Sequence, residues 1–363
     1  METSELFTNL LGLSYPYQVM SVETVLDTNQ KQIVVISIEI DKTYRPKENL
    51  WIQGYYEREW RHLNLFQYPC YLRCKVPSYF DKDLQRSFTL EVPWSRQGSG
   101  FSLVFEQYVL ALIKLSHQVS SVAAMLGEYP QRIWDIFYAY TNVEQPILQT
   151  PTQVGIDETS THKGHEYITL FVDMDSAQII DIEQGRDSEA VKQFALKLPA
   201  PQEVKQISID MSPAFIKGVK DYLPNAEITF DKFHVVKHLN DTIDELEAKN
   251  FDLWQWHRHL LSKLWHQPDA ESAAAFLCFW SDFAKENLNG EKIAKSINAH
   301  FNGIINYFNT KLTNGLLEGI NNKVQLIKRT ARGYRYKNNF ATMIRFCFGS
   351  LILANFHSPR QII

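Results

Sequence analysis

Residues 152–183 set three short runs rich in β-branched and apolar residues one after another, TQVGIDET (152–159), HEYITLFVDM (165–174) and AQIIDIE (177–183), and this feature most restricts the folds open to the chain. Each run has strand length and strand composition. The pattern then changes. Asp187 or Ser188 caps a helix reaching about Leu198, VKQISID forms a fourth strand, SPAFIKGVKDYL a second helix and AEITF a fifth strand. From Phe233 to about Thr313 the reading is helical throughout, rich in tryptophan (Trp254, Trp256, Trp265, Trp280) and without a strand pattern. An α/β domain is therefore expected over residues 150–363, built on a mixed sheet and carrying an all-helical insertion at about 240–312.

Three adjacent strands followed by strand and helix units are the order of an RNase H-like sheet, in which the first and fourth strands are neighbours. Asp157 closes the first strand in VGIDET, with Ile156 turned to the opposite face, and Asp210 closes the fourth in QISIDMS after the apolar Ile209. The two carboxylates are expected to emerge side by side. TNGLLEGINNKVQLIKR offers a helix on which Leu317, Ile320, Val324 and Ile327 form an apolar stripe, with Asn314, Glu318, Asn321 or Asn322, and Gln325 on the adjoining polar face. Carboxylates converging from different elements are what phosphodiester exchange needs, because two divalent ions about 4 Å apart serve the attacking and leaving oxygens. Hard oxygen ligands select Mg²⁺ or Mn²⁺.

Each acid also has a plainer reading. Asp157 reads as a turn cap with Glu158 as the ligand in its place, Asp210 as the N-cap of the helix beginning SPAF, and Glu318 as a solvated helix residue. Their fit to one geometry favours Asp157, Asp210 and Glu318 as catalytic residues and metal ligands. Asp173, Asp175 and Asp181 do not fit it and read as strand-end or surface acids.

Upstream, residues 1–98 alternate in short apolar and polar steps and form a β-rich module. Cys70 and Cys74 are four apart on one strand face, where core packing is favoured over metal ligation. Residues 99–145 hold three short helical patterns, 101–116, 118–126 and 130–140, punctuated by Gly127 and Pro130. They suit a helix-turn-helix-like DNA-binding segment, and equally a small helical bundle, since Lys114 and Arg132 are nearly its only cations.

Charge bears on the partner. The formal net charge of −4 argues against a protein that coats nucleic acid, yet from Gly319 onward there is no Asp or Glu. Lys323, Lys328, Arg329, Arg332, Arg335 and Lys337, interleaved with Tyr334 and Tyr336, make that tail a DNA-binding candidate: cations meet phosphates and tyrosines stack on unpaired bases. With 4 cysteines, no signal-like start and no long apolar stretch, the expected setting is a reducing cytoplasm, away from membranes.

VGIDETSTHKGHEYITLFVDMD, IDMSPAFIKGVKDYLPNAEITFDKFHVVKHLN and NGLLEGINNKVQLIKRTARGYRYKNNF together resemble, in order and spacing, the transposases of the bacterial ISL-three group of insertion sequences. The resemblance covers roughly residues 100–350. It implies a DDE transposase that cleaves the terminal inverted repeats of its element in double-stranded DNA and joins the 3′ ends to target DNA, as a homodimer or larger assembly. Asp157 and Asp210 match the family's aspartates and Glu318 its glutamate, with Asn321 and Asn322 nearby. Asp231 and His234 match a D-x-x-H pattern close to the active site, although His234 also reads as a hydrogen-bonded helix-start histidine. Family members usually begin with paired CxxC zinc ligands, which are missing here, so the module reads as a degenerate zinc-ribbon without zinc. That departure motivates an alternative: an inactive or repurposed DNA-binding derivative. A more distant one is an RNase H-like nuclease.

Overall fold

Period-two alternation in the first ninety residues turns apolar side chains, chiefly those of residues 34–40 and 70–76, into a common interior. The computed structural model describes residues 2–141, 146–161, 166–244, 259–288, 291–312, 315–331, 334 and 337–349. The chain folds as two compact units, residues 1–140 and 141–352.

The first unit opens with a helix the alternation did not announce, α1 (Thr3–Leu10), and continues through β1 (Tyr17–Leu26), β2 (Gln32–Ile40), β3 (Leu50–Leu65), β4 (Tyr68–Asp81) and β5 (Arg86–Thr89). The sheet order is β1-β2-β4-β3, with β5 beside β4; β2 and β4 run parallel and the other pairs antiparallel. Val34, Ile36, Ile38, Trp60, Leu72 and Val76 form its core, and Cys70 and Cys74 lie among them. Burial pushes their thiols up, to about 11 and about 12, which keeps them protonated. They pack as small hydrophobes.

Three helices follow, α2 (Leu103–Ser116), α3 (Val119–Leu126) and α4 (Pro130–Thr141). The signals that placed them operate as expected: Gly127 takes the left-handed conformation (φ 67°) that closes α3, and Pro130 opens α4. Arg61 ties the helices to β3. Its N–H donates to Gly100 O at 2.9 Å, its C=O accepts from Ser102 N at 2.9 Å, and its buried guanidinium lies 3.6 Å from Glu128. Arg132 pairs with Glu128 and stacks over Phe101 at 4.2 Å.

In the second unit the sheet order is β10-β9-β6-β7-β8, formed by β6 (Gln153–Ser160), β7 (Tyr167–Asp173), β8 (Gln178–Gln184), β9 (Gln206–Ile209) and β10 (Glu227–Phe230). The three consecutive strands are antiparallel, while β6, β9 and β10 run parallel because helices carry the chain back between them. These helices are α5 (Ser188–Lys197), whose first turn Asp187 caps by accepting from Ala190 N, and α6 (Pro213–Tyr222).

The helical stretch comprises α7 (Lys232–Asp244), a single 3₁₀ turn at Lys263–His266, α8 (Ala270–Leu288) and α9 (Glu291–Thr310); Trp254 and Trp256 lie outside the described residues. Trp280 is fully buried and shares one core with Val154, Ile156, Ile207 and Ile209. The insertion and the sheet are thus packed as one hydrophobic body. At Gly303 a Cβ would collide with the Phe230 ring, so the glycine lets α9 sit directly on β10. The last helices among the described residues are α10 (Gly315–Thr330) and α11 (Lys337–Phe348). Among the described residues no helix is long and apolar enough to cross a membrane.

Asp181 corrects its sequence reading. It is 5% exposed, and Lys197 and Arg345 neutralise it at 2.9 and 3.3 Å, so it is the buried anchor of α11 on β8 rather than a surface acid.

Candidate active site

Alternation along β6 sends Val154 and Ile156 into the core and leaves Gly155, Asp157 and Thr159 on the opposite face. The helix α10 lies along that face. Its stripe Leu317, Ile320, Val324 and Ile327 is buried as the spacing predicted. A Cβ on Gly155 would stand 2.6 Å from Leu317 Cδ2 and from Met174 Sδ, so only glycine permits this approach. One turn on, Asn321 Nδ2 donates to Asp157 Oδ2 at 3.0 Å; then Gln325 bonds Thr159, and Lys328 Nζ donates to Ser160 O and Oγ at 2.7 and 3.1 Å. From 317 to 328 the helix rises about 16 Å, the same as β6 from 155 to 160, which keeps the partners in step.

β6 pairs with β9 in parallel, Val154 with Ile207 and Gly155 with Ser208. Two residues further the same register brings Asp157 level with Asp210, as expected. One detail differs: Asp157 does not end its strand, because β6 continues to Ser160 through pairing with β7. It stands where β9 stops and β6 alone goes on.

Of the plainer readings, the N-cap one fails for Asp210: Ser212 precedes α6, and Asp210 Oδ1 instead accepts from Ser212 N at 2.9 Å in a local turn. Asp157 Oδ1 accepts from the neighbouring Glu158 N at 2.8 Å. Glu158 itself is engaged by Arg186 at 3.6 Å.

The charges of the site act on one another. Burial raises Asp157 to about 6, with Asp210 pushing in the same direction and the Glu158 N–H, His234 and Asn321 opposing. His234 sits in the first turn of α7, where Asp231 accepts from both its N–H (3.2 Å) and its ring Nδ1 (2.9 Å). Asp231, and more weakly Asp210 and Asp157, raise the imidazole above its ordinary value. Asp157, Asp210, Asp231, His234 and Asn321 are thereby brought together.

Among the described residues Glu318 makes no hydrogen bond or ion pair with them. It lies in the first turn of α10 between the Leu317 and Asn321 anchors, and its side chain is exposed. Asn322 is also exposed, and Asn314 lies outside the described residues. Among the described residues no group of three or more His, Cys, Asp or Glu is set to hold a metal ion.

The basic tail divides. Lys323 and Arg329 are exposed, whereas Lys328 is bound to Ser160. Tyr334 corrects the stacking expectation: it is buried, with its ring 5.2 Å from that of Phe340, and so has no face for a base. Lys337 opens α11; Arg332, Arg335 and Tyr336 are outside the described residues. Sequence reasoning missed Gly155, Thr159, Ser160 and Arg186. The small and hydroxyl residues alternating with apolar ones in VGIDETS were the available signal.

A family model described as a transposase, of the ISL3 DDE type, matches residues 154–252 and 248–344, and one described as the helix-turn-helix domain of transposase family ISL3 matches residues 90–141, which include α2 to α4. The chain is 27% identical over 287 residues to the transposase for insertion sequence element IS1001 of Bordetella parapertussis, covering 64% of this chain and 70% of that protein. It is 25% identical over 195 residues to the transposase for insertion sequence element IS1557 of Mycobacterium tuberculosis, covering 52% of this chain and 43% of that one. The protein is thus a transposase of the DDE class with a helix-turn-helix domain for DNA. More narrowly, it belongs to the ISL3 family of insertion-sequence transposases.

Proposed function

We propose that the second unit is an RNase H-like catalytic domain that cuts DNA at the terminal inverted repeats of an insertion sequence and joins the 3′ ends to target DNA. The observation that carries this reading is the pairing of β6 with β9, which sets Asp157 level with Asp210 under a helix whose Asn321 grips Asp157.

The donors fit divalent cations. They are hard oxygens, and Asn321 Oδ1 is buried beside Asp157 without a hydrogen-bond partner. Asp157, Asp210 and Glu318 would hold Mg²⁺ or Mn²⁺, with Glu318 brought in by the first turn of α10. When bound, such ions supply Lewis-acid activation of the attacking and leaving oxygens. The chain's own residues do the rest. Asn321 orients Asp157, and Asp231 fixes the His234 ring through Nδ1 and shifts the imidazole toward its protonated form beside the carboxylates. Lys323 and Arg329, exposed on α10, offer phosphate contacts. Two element ends act together, so the working assembly on DNA is a dimer or larger.

The test is strand cleavage: purified protein with Mg²⁺ nicks a duplex carrying the terminal repeat, and Asp157→Ala or Glu318→Ala abolishes nicking while DNA affinity stays. Glu318 is exposed, and among the described residues no hydrogen bond or ion pair holds it to either aspartate, which favours a second reading, a DNA-binding derivative without catalysis. Full affinity with no nicking by the parent chain in either Mg²⁺ or Mn²⁺ would establish it.

A further inference from the structure

Alternation also sorts charge on the β-rich module, which lies largely outside both family matches. On β3, β4 and β5 the cross-strand pairs Tyr56 with Val76, Arg58 with Cys74, Gly54 with Ser78 and Ser78 with Thr89 put Tyr56, Arg58, Ser78 and Thr89 on one face. Trp51 pairs with Phe80, and Phe80 with Ser87, so Trp51 and Ser87 share that face. The strand acids Glu57, Glu59 and Asp81 fall on the other face, where Glu57 and Glu59 are met by Arg73.

The face is partly hollow. Tyr56, Arg58, Ser78, Ser87, Phe88 and Thr89 line an open cavity of about 210 Å³. Arg58 is exposed and makes no ion pair among the described residues, and the Ser87 and Thr89 hydroxyls bond nothing there either. Trp51 is 68% and Tyr56 57% exposed, with Lys82 Nζ 4.9 Å from the Trp51 ring. Large aromatics flanking an unpaired guanidinium and free hydroxyls, with the neighbouring acids turned away, complement an anion that carries flat rings.

We propose that this face of the module binds single-stranded DNA, Arg58, Ser87 and Thr89 taking the phosphodiester backbone and Trp51 and Tyr56 stacking on unpaired bases. Single-stranded DNA is exposed wherever an element end is opened. The site needs neither a metal nor the acidic residues of the other unit, so it stands or falls apart from the catalytic reading.

The test measures binding of a fluorescein-labelled thirty-nucleotide single strand, and of its duplex, by the full chain in EDTA. Trp51→Ala with Tyr56→Ala is expected to weaken single-strand affinity roughly tenfold or more, within the range for lost base stacking. Arg58→Ala is expected to lower the slope of log affinity against log salt by about one. Since a double variant can fail to fold, a strand bearing 5-iododeoxyuridine is also photocrosslinked to the unmodified chain, and the crosslinks are expected at Trp51 or Tyr56. Crosslinks confined to residues beyond 90, or folded variants that bind single strands within twofold of the parent, overturn the proposal. So does binding restricted to duplex, which would leave the exposed aromatics to another partner.

Discussion

Asp157 is held in a place where its charge is unwelcome. Burial raises its carboxyl from 3.8 to about 6, so the folded chain favours the protonated form more than the unfolded chain does. The sign follows: the penalty is absent below about pH 4, grows as the pH rises toward 6 and is complete above it. A tenfold change in a proton's binding constant is worth about 1.4 kcal/mol, which bounds the gain from removing the charge at roughly 1–3 kcal/mol. Asp157→Asn is therefore expected to be more stable than the parent at pH 7 in EDTA and equal to it near pH 4, while losing cleavage. Urea unfolding at the two pH values checks this, and a variant no more stable at pH 7 than at pH 4, relative to the parent, would show that the carboxylate is not strained. Storing destabilisation in a functional group is common at active sites.

At the scale of elements, the decisive contact is α10 on β6. Gly155→Ala puts a methyl group 2.6 Å from Leu317 Cδ2 and Met174 Sδ, so the helix must move. A loss of about 1–3 kcal/mol is expected from such overpacking, with cleavage impaired because Asn321 shifts from Asp157. Leu317→Ala in the same chain should recover part of the loss, a non-additivity that a double-mutant cycle in urea reads; strict additivity would separate the two residues. This packing also marks what could be read in advance. The stripe Leu317, Ile320, Val324 and Ile327 has helical period, and the RNase H-like order expected from the strand pattern puts the first and fourth strands side by side, so the pairing of β6 with β9 was legible. The register of α10 was not, because Asn321 meets a partner 164 residues away and nothing local encodes that distance. Asp181 and Tyr334 were misread for the same reason: Lys197, Arg345 and Phe340 decide their burial. Arg132, one of the few cations of the helix-turn-helix, proved to be engaged by Glu128 and Phe101.

At the scale of the molecule, the two units have separate hydrophobic cores, one around Ile36, Trp60 and Leu72 and the other around Ile156, Ile209 and Trp280. Separate cores need not melt together, and a chain of this kind is expected to depart from two-state unfolding. A ligand stabilises only what it binds in the folded form, by RT ln(1 + [L]/Kd). If Asp157, Asp210 and Glu318 hold divalent ions, Mg²⁺ or Mn²⁺ must raise the melting transition of the second unit and leave that of the first where it was. Calorimetry of the full chain should therefore show two transitions, one of them moving upward by a few degrees at millimolar Mn²⁺ relative to EDTA. The shift should vanish in Asp157→Asn, which at neutral pH begins from a higher baseline because its buried charge is already gone. The same ion thus separates two sources of stability at one residue: the carboxylate costs stability when bare and returns it when a cation is bound. A single transition that shifts as a whole, or a shift that survives in Asp157→Asn, would place the ion elsewhere.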